Sequence, residues 1–314
     1  MSEIRKFIPV LSEYMQAIAV ESANFPDEEI SVESWKWHDQ HFDPNTIFSR
    51  WVGETDSRII SHGLFTQLPD RNIDKTNHFM LHIAVHPEQQ QKGYGSELFQ
   101  HMHRHLQQYM PCIIETTARE DKPQSINFLE HRHFAAKSKQ YIARLHINAN
   151  TPLLDLSSNL NRLSKLGIRI DPLAELIEND ADWQKKLENQ YKNIIMEMQE
   201  SGLTDKINIK KSIEIDAQKI FIARYHEHWI GISGIRQSDK QHHTCIHTLT
   251  GVAKPYRRNG IATTLIQHCI NTAIQSGYHF IESSLPLESV LFQLQKNLGY
   301  ISQPTTIHYE LNLS

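Results

Sequence analysis

Cysteine is scarce: the chain of 314 residues has three, at 112, 245 and 269, far apart and without a CxxC spacing. An odd and scattered set excludes a disulfide framework and a cysteine zinc site, and it fits a reducing compartment. Long apolar runs are missing as well. No stretch of about 18 apolar residues occurs, and the opening MSEIRKFIPVLSEYM lacks the apolar segment of a secretory signal, so membrane spanning and secretion are not expected. Neither charge dominates. The 32 Lys and Arg oppose 36 Asp and Glu, a formal net charge of −4, which removes the basic footprint of a nucleic-acid or anionic-membrane partner. Glycine and proline number only 12 each and are scattered singly, as in globular rather than fibrous or disordered chains. What remains is a globular, cytoplasmic chain, long enough for two domains of about 150 residues.

The chain contains a repeat. The segments LHIAVHPEQQQKGYGSELFQHM (81–102) and HTLTGVAKPYRRNGIATTLIQHC (247–269) each pass from an extended apolar run through a polar loop to a helical pattern. Val85 and Val252 are 167 residues apart, as are Gly93 and Gly260, and Phe134 and Tyr300 are 166 apart. The flanks repeat too. A helical pattern at Leu11, Tyr14, Met15 and Ile18 precedes the strands IFSRWVGE and RIISHGLF, with a polar turn at 55–57 between them. In the second copy Asp171-Pro172 reads as a helix N-cap and first turn, opening a helical region toward Gly202, before the strands KIFIARYH and WIGISGIR. The copies close with CIIETTA, FLEHRHF and YIARLHI, and with FIESS, FQLQKNLGY and IHYELNL. These patterns predict two α/β domains with mixed sheets, 1–150 and 168–314, joined by a linker or docking helix at 151–167.

Each repeat carries a glycine-bearing loop where a strand gives way to a helix. Glycine lets several amides converge at the positive end of that helix, which makes an anion site suited to a pyrophosphate. The first loop offers Gln90, Gln91, Lys92, Gly93, Tyr94, Gly95 and Ser96; the second offers Arg257, Arg258, Asn259, Gly260, Ile261, Ala262 and Thr263. Pro255 lies three residues after its valine and Pro87 two after its own, so the second loop need not superpose closely on the first.

Gln90-x-x-Gly93-x-Gly95 and Arg257-x-x-Gly260-x-Ala262, each behind a strand that ends in valine, resemble motif A of the GCN5-related N-acetyltransferase (GNAT) family. The order of elements is similar to that of its tandem members. The resemblance implies two tandem GNAT-like acyl-CoA N-acyltransferase domains, acetyl-CoA as co-substrate, no metal, and direct transfer to a primary amine of a small molecule by a monomer or homodimer. It also implies main-chain contacts to the pantetheine arm at Ala84 and Val85, and at Gly251 and Val252. A non-catalytic acyl-CoA-binding sensor, or one catalytic and one degenerate domain, is the alternative.

The family's frequent proton donor, a tyrosine five residues before the closing aromatic, is replaced by Leu129 and Gln295. Its frequent base, four or six residues before the motif valine, is replaced by Leu81 and Phe79, then by Thr248 and Ile246. The candidates left are Glu115 and Glu282, on the strand after each motif helix, and His82, on the strand entering the first loop. For each carboxylate the competing reading is a solvated or ion-paired group. His82 and His247 stand one residue out of the family's register, so an ordinary histidine competes there. His101 and His105 have i, i+4 spacing, but HMHRH falls on the polar side of its helix without a nearby carboxylate, so no metal is expected. Trp35, Trp37 and His38 line either an acceptor pocket or the core. The first domain, with Gly at both loop positions and Ser96 opening its helix, is the expected catalytic one, and Glu115 acting through water is its expected base.

Overall fold

The computed structural model describes residues 3–28, 30–68, 77–200, 216–238, 243–285 and 289–313. The chain begins with β1 (Glu3–Lys6), α1 (Leu11–Asn24), α2 (Val32–Gln40), β2 (Phe48–Thr55), β3 (Arg58–Gln67) and β4 (His78–Val85). Next come α3 (Tyr94–Leu106), β5 (Ile113–Arg119), α4 (Pro123–Glu130), β6 (Ala135–Gln140) and β7 (Ile142–His146). The second half opens with α5 (Ser157–Lys165), β8 (Ile168–Pro172), α6 (Leu173–Ile177), α7 (Trp183–Glu200), β9 (Ile220–Tyr225) and β10 (His228–Gln237). It closes with β11 (Thr244–His247), β12 (Gly251–Val252), α8 (Ile261–Gln275), β13 (Phe280–Ser284), α9 (Val290–Asn297), β14 (Ile301–Ser302) and β15 (Thr306–Asn312).

Two units result, one of residues 1–140 with 304–314 and one of residues 141–303. The first holds a sheet ordered β1-β2-β3-β4-β5-β15-β6, the second a sheet ordered β14-β7-β13-β11-β10-β9-β8 with β12 beside β10. Both sheets are mixed: β4 runs parallel to β5 and β11 parallel to β13, and the other pairings are antiparallel.

The closing strands differ from the sequence expectation. YIARLHI pairs as β7 with β13 of the second unit, Leu145 opposite Ile281, and IHYELNL pairs as β15 with β5 of the first, Tyr309 opposite Thr116. Both are short amphipathic runs, so periodicity fits either to either slot. The partner is fixed by burial, Ile307 and Tyr309 closing the first core and Ala143 and Ile147 the second. The units therefore divide the chain at Gln140 and Gln303 rather than once near residue 150.

Helical periodicity sets the cores. Leu98, Met102 and Leu106 form one stripe of α3 and pack on Phe65, Phe79, Leu81 and Ile114. The opposite face of that sheet meets α1, whose Val20 contacts a cluster of Val52, Ile59 and Ala84. In the second unit α8 buries Leu265, Cys269 and Ala273 among Cys245, Ile281 and Tyr300.

Local details refine the expectations. The turn between β2 and β3 has Asp56 and Ser57 at φ 51° and 60°, the left-handed pair that matches strand twist in a two-residue hairpin. Asp171 does not cap a helix; it lies in β8 and accepts from Nε of Arg224 at 2.8 Å, while α6 starts at Leu173. The expected helix end at Gly202 lies outside the described residues. No described helix is long and apolar enough to cross a membrane.

Candidate active site

The two glycine loops share one backbone. Gly93 and Gly260 cap α3 and α8 in the left-handed region, at φ 93° and 76°, and Gln91 and Arg258 match at φ 61° and 63°. Each loop begins with a 3-10 turn, Pro87–Gln89 or Lys254–Tyr256, and closes at φ/ψ −64°/161° (Gln90) or −65°/163° (Arg257). The proline offset leaves the course unchanged, because the opening of a 3-10 turn accepts proline at its first or second position. Positive-φ residues two apart, Gln91 and Gly93 or Arg258 and Gly260, bend the main chain just ahead of each helix, and the first helical amides have no acceptor within the helix.

The loop side chains mostly fasten the loop itself. Nε2 of Gln90 donates to the Val85 carbonyl (3.0 Å) and to Oδ1 of Asn24 (2.9 Å), and Nε of Arg257 donates to the Val252 carbonyl (2.7 Å). Nζ of Lys92 donates to the Glu88 carbonyl at 2.9 Å and to Oε1 of Gln89 at 3.0 Å, and Nδ2 of Asn259 donates to the Tyr256 carbonyl at 3.1 Å. Oγ of Ser96 accepts from Nη2 of Arg132 at 2.6 Å. What the loops turn outward is main chain. A Cβ at Gly93 would meet nothing within 4 Å, whereas one at Gly260 would meet the Arg162 guanidinium of α5. The first loop is open, as a phosphate cradle requires; the second is covered by a flexible cation.

Beyond each loop lies a fork. In the first unit β4 pairs with β5 only from His78 opposite Ile113 to Met80 opposite Glu115; then β4 continues to Val85 and β5 to Arg119 without pairing. In the second, pairing runs from Thr244 opposite Phe280 to Ile246 opposite Glu282. Ala84 and Val85, and Gly251 and Val252, stand on the diverging arms.

The forks differ by one residue. Phe79 through Val85 pair one for one with Gln67 back to Ser61 on β3. In the second unit His247 lies opposite Ile235 and Gly251 opposite Ile232, so four steps on one strand face three on the other. That extra residue is a bulge, and it reverses which face the preceding side chains take. A count of four back from the valine, Thr248, in the bulged strand corresponds to three back, His82, in the unbulged one. Leu81 and Phe79 fall instead into the α3 core, 4% and 0% exposed. His82 takes the α1 face of the sheet at the point where the fork opens.

There it meets two residues that sequence reading passed over. Oε1 of Glu21, on α1, lies 2.7 Å from Nε2 of His82 and 2.9 Å from Nδ1 of His62, on β3. Glu21 and His62 are buried, while the His82 side chain is 37% exposed. Burial pushes the Glu21 carboxyl up, but the charge of His82 and the hydrogen bonds of both imidazoles outweigh it and hold that carboxyl well below the usual range. Burial lowers His62 to about 4 despite Glu21 beside it. Trp35 packs on this group, its ring 4.9 Å from that of His62 and 4.2 Å from the guanidinium of buried Arg50, which donates to Oδ1 of Asp39 at 3.0 Å. Trp37, by contrast, is exposed and stacks on His41, and His38 packs beside Phe42. Sequence held one signal for Glu21: it falls on the same stripe as Tyr14, Ala17 and Ile18, a carboxylate on a buried helix face.

Among the described residues, Glu21, His62 and His82 are the His and carboxylate group close enough to hold a cation. Their shared oxygen sits at hydrogen-bond distance from both nitrogens, closer than the about 3.3 Å between ligands on tetrahedral zinc. The expected solvated face at His101 and His105 is not found: these rings stack on each other at 4.6 Å and pack on Trp51.

The remaining candidates are placed as follows. Glu115 is half-buried at the base of the first fork, its Oε1 3.8 Å from Nδ1 of His78. Oε1 of Glu282 accepts from Nε (2.9 Å) and Nη2 (2.6 Å) of Arg144, the ion-paired state. His247 is buried, with Nε2 2.6 Å from the Tyr300 hydroxyl. Leu129 packs in the first core, and Gln295 donates to Oγ of Ser283 at 3.0 Å inside the second unit.

Known proteins share this fold. A GCN5-related N-acetyltransferase from Sphaerobacter thermophilus superposes with a TM-score of 0.66 at 16% identity, over 99% of this chain and 95% of that one. A tandem GNAT protein from the clavulanic acid biosynthesis pathway superposes with a TM-score of 0.62 at 12% identity, over 100% of this chain and 99% of its own. At these identities the likeness is one of fold. No curated protein matches. The model of the acetyltransferase (GNAT) family matches residues 13–134 and 185–287, most of the chain and both forks, so the chain belongs to that family of acyl-transferring enzymes.

Proposed function

We propose that the chain transfers the acetyl group of acetyl-CoA to a primary amine of a small molecule, and that the first unit carries out the transfer. The observation that supports this most directly is His82 at the opening of the β4–β5 fork, partly exposed and backed by ionised Glu21. Bound acetyl-CoA supplies an activated thioester. The main chain from Gln91 to Gly95 suits its pyrophosphate, and Ala84 and Val85 on the diverging arm suit its pantetheine arm. His82 takes the amine proton as the amine nitrogen bonds to the thioester carbon; the C–S bond breaks and its electron pair leaves on sulfur, which water protonates. In the second unit Arg144 holds Glu282 and Tyr300 holds His247, which supports a role in binding or scaffolding there.

The test is release of free thiol from acetyl-CoA with a panel of small amines. His82→Gln is expected to lower kcat by about 10² or more with acetyl-CoA affinity by calorimetry intact. Glu282→Gln should do little. Loss of activity in Glu115→Gln with His82→Gln fully active would move proton removal to Glu115 through water. Binding of acetyl-CoA with no thiol release from any amine would favour the sensor reading.

A further inference from the structure

We infer that Glu21 and His62 are positioning residues for His82: one buried carboxylate oxygen, shared by two imidazoles, fixes the tautomer of His82 and reserves its negative charge for that ring. The inference rests on the reading of His82 as the proton acceptor.

Geometry gives the two rings different parts. The contact at Oε1 of Glu21 uses Nε2 of His82, so Nε2 carries the hydrogen and Nδ1 is the nitrogen that takes a proton. His62 turns its Nδ1–H to the same oxygen, and its Nε2 is buried without a hydrogen-bond partner among the described residues. Protonating His62 would bury an unpaired N–H beside the positive charge of Arg50, so His62 stays neutral. Its downward shift to about 4 agrees. His62 therefore gives Glu21 a hydrogen bond without giving it a charge.

The surroundings leave that carboxylate few other partners. From β2 comes Arg50, engaged by Asp39 at 3.0 Å; from α2 comes the apolar ring of Trp35; from the base of the fork come His78 and Glu115, which face each other at 3.8 Å. When His82 takes a proton, the cation forms beside a desolvated anion already held in place, which raises the basicity of the ring and costs little reorganisation. A fully exposed histidine in the same fork would lack both advantages.

The experiment is a pH profile of kcat/KM on the full chain with acetyl-CoA and the best amine of the panel. His82 must be neutral to act, so activity falls on the acid side, and Glu21 holds that limb at higher pH. Glu21→Gln keeps the size and removes the charge; the acid limb should move to lower pH, with the plateau about 10-fold to 10²-fold down and acetyl-CoA affinity unchanged. Glu21→Asp should hold the limb near its original position. His62→Asn, which keeps a donor near the Nδ1 site, should retain most activity, and His62→Phe, which keeps the bulk and the Glu21 charge but removes the donor, should lower the plateau without moving the acid limb to lower pH. An acid limb unmoved in Glu21→Gln, or His62→Phe as active as His62→Asn, overturns the inference. Full activity of His82→Gln would instead retire the proton-acceptor reading, so the two failures are distinct.

Discussion

Gly93 holds φ at 93°, where a side chain is strained, yet the space its Cβ would enter is empty for 4 Å. Gly93→Ala should therefore cost only about 1 kcal/mol of stability in urea unfolding, while calorimetry shows acetyl-CoA binding weakened tenfold or more. Equal affinity would mean that no ligand approaches this backbone. A second residue-scale effect is a pH dependence of stability. Burial lowers His247 from 6.5 to about 4. The unfolded chain then takes up a proton as pH falls through 6.5, the folded chain not until about 4, so stability is lost across that window. The loss reaches about 3 kcal/mol by pH 4. In His247→Gln the fall between pH 7 and pH 4 should be shallower by that contribution, as read from urea midpoints; an unchanged slope would refute it.

One residue of strand length separates the two forks. β4 pairs with β3 without interruption, whereas the stretch from β11 to β12 carries an extra residue against β10. Because side chains alternate across a sheet, that residue decides whether the third or the fourth position before the valine takes the α1 face. A histidine at Leu81, the family's position by simple counting, should not replace His82. In the double variant Leu81→His with His82→Gln, activity should stay at the His82→Gln level. The protein should also lose about 2 to 4 kcal/mol, since position 81 lies in the α3 core. Recovery of turnover in that variant would show the assignment of faces to be wrong. The loops and their helices were legible in sequence at this scale, because a glycine at a left-handed cap and a 3.6-residue stripe such as Leu98, Met102 and Leu106 are local patterns. The face of His82 was not. It depends on a bulge, and a bulge shows only against the partner strand.

For the chain as a whole, the closing strands set how it can be cut. The first unit needs β15 between β5 and β6, and the second needs β7 beside β13. Removing residues 304–314 should expose the edges of β5 and β6 and take Ile307 and Tyr309 out of the first core. Hydrogen exchange should then rise across β5 and β6 while β9 and β10 stay protected. Uniform protection in the shortened chain would contradict the strand assignment.

Sequence by itself determined the duplication, both glycine loops, the stripes of the two motif helices and the strands that flank them, since each is written in spacings of a few residues. It also carried the family, through two loops in matching strand-to-helix context. Only the tertiary structure decided which sheet receives each closing strand, and it alone joined Glu21, His62 and His82. The runs at 142–146 and 306–312 have the same period, so their slots are chosen by partners far along the chain. Glu21 and His82 are 61 residues apart and meet only when α1 lies across β3 and β4. A contact of that kind has no local period to betray it, and the free energy that fixes it is the burial of the whole helix face.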